Sequence, residues 1–171
     1  MKFDKRLKKA EVLHVGGSIA DSIASLCLYS HDIDIKEISR LLECEPTEAH
    51  RRGDLLGKSK KQAAPSGLWS LTAPRELPFE EKLRFLVERT NNDKKVWNKL
   101  KISHRIHLRC AIFLHHWTEG VEIHSDLITE IGNRHWNLGL SVYSAEGEEI
   151  LEAFLEPELS KYKSKIKKFS E

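Results

Sequence analysis

Nowhere in this 171-residue chain is there an apolar run near the roughly 18 residues that cross a bilayer, so no membrane-spanning helix is expected. The N-terminus, MKFDKRLKKAEVLHV, starts basic but has no apolar core segment, which argues against a secretory signal. Cysteine is scarce: Cys27, Cys44 and Cys110 are an odd, widely spaced set, suited to a reducing cytoplasm rather than a disulfide framework. There is no CxxC or HExxH spacing for zinc, no GxSxG elbow for a nucleophilic serine, and no glycine-rich spacing of the kind that cradles phosphate. No cofactor is implied by any motif.

What is present describes an ordinary globular chain, 40% hydrophobic and 32% charged, most economically one domain with trimmings. The net charge of +2 conceals a segregation. Ten of the 28 basic residues, but only two of the 26 acidic ones, lie in residues 1–9 and 161–171, which leaves a body near −6. Attraction to nucleic acid would fall on the tails and local patches.

SIASLCLYS (Ser22–Ser30) is short, apolar and turn-bounded, as buried strands are. Asp34 then offers an N-cap to IKEISRLLEC, whose Ile35, Ile38, Leu41 and Leu42 share a helical stripe. Thr47 to Gly53 is expected as an edge strand, and GLWSLTAP as a clearer one. Pro78 opens FEEKLRFLVERTNN with Phe79, Leu83, Leu86 and Val87 on one face, and KKVWNKL adds a short helical piece. The cleanest alternation follows: Ile106, Leu108, Cys110, Ile112 and Leu114 face one way, Arg105, His107, Arg109, Ala111, Phe113 and His115 the other. SDLITEIG reads as a helix capped by Ser125 and Gly132, and WNLGLSVYS as a final strand. The order β-α-β-β-α-β, then α-β, predicts an α+β fold: a ferredoxin-like split βαβ sandwich with an appended αβ unit, its sheet antiparallel and its helices on one face. SLCLYSHDIDIKEISRLLE and CAIFLHHWTEGVEIHSDLITEIG echo each other, as two duplicated halves would. The expected division is a basic extension over 1–20, the α+β domain over 21–145, and an acidic stretch leading to a lysine-rich helix over 146–171.

The apolar strand, DID, the helix IKEISRLLECEPTEAHRRGD, a variable loop and GLWSL together resemble an uncharacterised bacterial family, domain of unknown function 4279, over about residues 22–145. Pro46-Thr47, Gly53 and Leu68-Trp69-Ser70 are the most specific parts. The resemblance implies a small cytoplasmic bacterial α+β domain and brings no catalytic residues with it.

Three stretches carry candidate chemistry. His50, Arg51, Arg52, Lys58, Lys60 and Lys61 would surround an anionic ligand with Trp69 as a wall, since arginine forks suit carboxylate and phosphate. Against this, Gly53 and Pro46-Thr47 need only end a strand and a helix, and Trp69 suits the core. Arg105, His107 and Arg109, beside Phe113, would make a basic platform for single-stranded RNA if one side of the sheet is open. Leu155, Leu159, Tyr162, Ile166 and Phe169 form a helical seam expected to dock on its own domain, the alternatives being a partner's groove, a homodimer seam or an anionic membrane surface. His115, Glu119 and His124 share no recognised ligand spacing, so no metal is expected.

The composite expectation is a non-catalytic interaction module, a protein inhibitor or toxin-immunity type partner. Nucleic-acid binding through the basic loop and tails is the alternative. An enzyme acting on an anionic small molecule would need a cleft near Arg51, Arg52 and Trp69.

Overall fold

A computed structural model describes residues 19–57, 62–114 and 120–143. The chain runs β1 (Asp21–Ser30), α1 (Ile35–Leu42), β2 (Glu48–His50), β3 (Leu55–Leu56), β4 (Gln62–Ala63), β5 (Gly67–Thr72), α2 (Phe79–Arg89), α3 (Lys94–Ser103), β6 (Arg105–Phe113), α4 (Ser125–Asn133) and β7 (Asn137–Tyr143). It is an α+β protein built on a five-stranded sheet in the order β2-β5-β1-β6-β7.

Period-two alternation decides which face each side chain takes. Ala24, Leu26 and Leu28 of β1, Trp69 and Leu71 of β5, and Ile106, Leu108 and Ile112 of β6 all fall on one side and are buried. The helices deliver Ile38, Leu42, Leu83, Leu86, Trp97, Leu100, Leu127 and Ile131 to the same cluster, making two layers around one core. Local chemistry starts and stops these helices. Asp34 accepts from the Glu37 amide at 3.0 Å, and the left-handed Glu43 (φ 58°) ends α1. Asp93 caps α3 through the Lys95 amide at 2.8 Å. Trp69, with no exposed surface, satisfies its indole N–H on Ser39 Oγ at 3.1 Å. Trp97 meets Trp136 edge-on at 5.4 Å.

Four expectations need correction. The sheet is mostly rather than wholly antiparallel: β7 runs parallel to β6, because α4 crosses over between them. The long connection after Asp54 holds a two-stranded ribbon of its own, with Leu55 opposite Ala63. Helix α4 is preceded by His124 rather than Ser125 at the cap and continues past Gly132, with the left-handed turn falling on His135 (φ 58°). Pro78 stands at the cap position of α2 rather than inside its first turn. Gly53 does take a positive φ, 87°. The seam from Leu155 to Phe169, both tails, Lys58, Lys60, Lys61, His115 and Glu119 lie outside the described residues.

Candidate functional site: the open face of the sheet

Among the described residues, the helices cover one side of the sheet and none covers the other. Pairing stacks the uncovered side chains into rows. Glu48, Ser70, Cys27, His107 and Asn137 form one row across all five strands. Toward one end lies the row Leu68, Tyr29 and Arg105; toward the other lie Thr72, Ser25, Arg109 and Gly139, then Ile23, Ala111 and Ser141, then Asp21, Phe113 and Tyr143. All of these but Asn137 and Asp21 line a trough of about 800 Å³.

The floor is made of small groups tied to each other. Ser25 Oγ and Thr72 Oγ1 sit 2.9 Å apart, and Cys27 Sγ and Ser70 Oγ 3.4 Å apart. The walls are aromatic at both ends. Tyr29 and His107 meet edge to face at 6.1 Å, while Phe113 and Tyr143 stack at 5.2 Å with only 17° between their planes. Between them, Arg109 Nη1 donates to the Tyr29 hydroxyl at 3.2 Å. That bond holds the guanidinium firmly protonated. Burial of the Tyr29 ring pushes its phenol up, which keeps it neutral. Arg109 is therefore a fixed cation in a trough with a π pair at each end.

The predicted site residues divide between two depressions. Arg105 and Arg109 are exposed on the open face, with His107 half-buried beside them. Arg51 and Arg52 border a smaller hollow of about 620 Å³ next to Asp32, Asp34 and Gly53. The two carboxylates offset the arginines there, and the Arg51 amide is already bound by Asp54 at 2.7 Å. His31 lines both depressions, and Arg52 donates to its ring, so the two depressions meet at this residue. His50 is half-buried on β2, 4.0 Å from Glu48. Trp69 has no exposed surface and cannot serve as a wall for a ligand. Lys58 lies outside the described residues.

Other reactive groups among the described residues are occupied or buried. Cys27, Cys44 and Cys110 are all free and buried, and burial pushes the Cys110 thiol up to about 12. His124 is bonded to Glu80. Sequence reasoning missed Tyr29, His31 and Tyr143. Strand parity alone would have put Tyr29 on the face opposite Leu28, but the pairing that sets it beside Arg109 and His107 has no local signature.

No curated protein and no solved structure matches this chain. A family model does match, over residues 20–145, a span that holds every strand of the sheet and the whole trough. The chain therefore belongs to the family described as Domain of unknown function (DUF4279).

Proposed function

We propose that this protein is a non-catalytic binding module and that the open face of its sheet is the recognition surface. The trough carries this reading: a concave face of about 800 Å³ with Arg105, Arg109 and His107 on it and, among the described residues that line it, a single carboxylate, Glu48. A surface that was only solvated sheet would have no need of a guanidinium tethered to a half-buried phenol. The fixed cations favour a partner that presents negative charge.

The scaffold fits the same proposal. Strands β2-β5-β1-β6 lie in the order of a ferredoxin-like split βαβ sandwich, each antiparallel to its neighbour, with α4 and β7 as the appended unit. In such a sandwich the side away from the helices is available to ligands. Three free, buried cysteines support a reducing, cytoplasmic setting.

A second reading, a protein partner of the inhibitor or immunity type, draws on a different surface. Leu138, Leu140 and Val142 of the edge strand β7 are 41%, 49% and 60% exposed on the helix side, beyond the cover of the helical layer. Apolar side chains in a row on an edge strand suit contact with another protein.

The test is differential capture from bacterial lysate by the full chain, by an Arg105→Glu, Arg109→Glu variant and by a Leu138→Gln, Leu140→Gln variant, reading both protein and nucleic acid. The proposal expects a partner held by the wild type and lost with the arginine pair. A recovered set unchanged by the arginine pair and emptied by the leucine pair would move recognition to β7.

A further inference from the structure

The trough's two aromatic pairs are too far apart to serve one ring. The row of Cys27 and His107 lies six residues along β1 from the row of Asp21 and Phe113, a distance of about 20 Å at strand rise. A mononucleotide, a free phosphate or an acidic side chain would reach one pair and leave the other unused. A duplex would hide its base faces in its own stack. A single strand presents several flat faces in succession with a charge between each.

Resting on the open-face reading, we infer that the trough binds a short stretch of single-stranded nucleic acid, with bases against the Tyr29–His107 and Phe113–Tyr143 pairs and a phosphate at Arg109. Arg105, exposed on the same strand directly opposite Tyr29, sits where the backbone would leave the trough. Apart from Arg109 and from Ile23 opposite Ala111, the floor between the two pairs is short side chains: Ser25, Ala111, Gly139 and Ser141. Their hydroxyls can meet sugar or base edges without selecting a sequence.

Charge is sorted in the direction this requires. The helix side carries Glu80, Glu81 and Glu88 on α2 and Asp126 and Glu130 on α4. Those carboxylates lie across the sheet from the trough; on the trough's own side, among the described residues, Glu48 stands at its border and Asp21, paired with Arg75, at the end of the Phe113 row. Screening over about 8–10 Å separates the two faces further.

Fluorescence anisotropy of the full chain with labelled oligouridylate, oligothymidylate and a hairpin duplex tests this, beside Arg109→Gln and Phe113→Ala variants checked for folding by circular dichroism. Arg109 is exposed, so its variant keeps the fold even if the Phe113 variant does not. The expected result is binding of a single strand, weakening as salt rises, with the duplex bound less tightly. Loss of one stacking or phosphate contact raises Kd roughly 5-fold or more. Preference between the uridylate and the thymidylate reports RNA against DNA. Binding that is equal for the duplex, or unchanged in both variants, places affinity on the lysine tails and overturns the site. No binding, with a protein still captured through Arg105 and Arg109, overturns the nucleic-acid ligand and leaves the open-face reading standing. No binding and unchanged capture removes both.

Discussion

His124, the residue that precedes α4, lies with Nδ1 2.8 Å from Glu80 on α2. The same carboxylate accepts from Arg84 at 2.6 Å, and Arg84 reaches back to Asp126 at 2.9 Å. Four side chains thus clasp the helix that positions β7 onto the helix that covers β1. His124 is drawn above its ordinary value by the hydrogen bond to Glu80. Partial burial pushes Glu80 up, but the bonds from His124 and Arg84 outweigh it and hold the carboxyl below its ordinary value.

The clasp should therefore have a pH window. A raised histidine contributes in full below its ordinary 6.5 and loses that contribution as pH climbs through its folded value. A lowered carboxylate contributes in full above its ordinary 4.5 and loses it as pH falls. Between those limits both bonds are intact. Thermal melts from pH 8 down to pH 6 should show the wild type gaining stability, with a shallower gain in His124→Gln. Parallel slopes in the two proteins would send the pH dependence to another group.

Leu108 lies at the centre of the core, fully buried on β6 opposite Leu26. Leu108→Ala should cost roughly 2–5 kcal/mol in urea denaturation, since the sheet and helices around it collapse only in part. A loss below about 1 kcal/mol would mean the site repacks far more freely than a close-packed interior does.

Gly67 opens β5 where a Cβ would sit 2.3 Å from Ile33 Cγ2 and 2.7 Å from Ile33 Cβ. Ile33 is itself buried, so it has no open space to swing into. Gly67→Ala should cost about 1–3 kcal/mol by overpacking. Gly53→Ala, which meets no atom within 4 Å but must adopt φ 87°, isolates the backbone cost by comparison.

Arg51 and Arg52 are exposed. Replacing both with glutamine should leave stability within about 1 kcal/mol, as surface ion pairs usually do. Should the melting temperature fall by many degrees, the arginines hold the turn after β2 in place rather than meet a ligand.

Much of this architecture is legible along the chain. Apolar residues every second position from Ile106 to Ile112 announce β6, and Asp34 with the Ile38–Leu42 stripe announces α1. Both signals are local, arising from the pleat and the helical turn. The trough is less legible because it depends on register. Tyr29 and Arg109 are 80 residues apart and become partners only when β1 and β6 pair with Leu26 opposite Leu108. Likewise nothing in NLGLSVY tells a strand flanked on both sides from one at an edge, so the exposure of Leu138, Leu140 and Val142 is a fact of topology. The caps of α4 misled for a related reason: Ser125 and Gly132 have the right chemistry, yet His124 and its bond to Glu80 hold the helix start one residue earlier.

The parity of β7 follows from its place at the border of the sheet. Burial pins a central strand, because a one-residue slip would throw its apolar set into water. In β7 that penalty is weak, since Leu138, Leu140 and Val142 are already half in water where they stand. What sets its phase is instead the length of chain between α4 and Asn137, locked by the left-handed His135 and the buried Trp136. A single residue inserted or removed there would exchange the strand's two sides. Leu138, Leu140 and Val142 would then replace Gly139, Ser141 and Tyr143 along one bank, taking away the ring that stacks on Phe113 and converting a hydroxyl-lined channel into a greasy one.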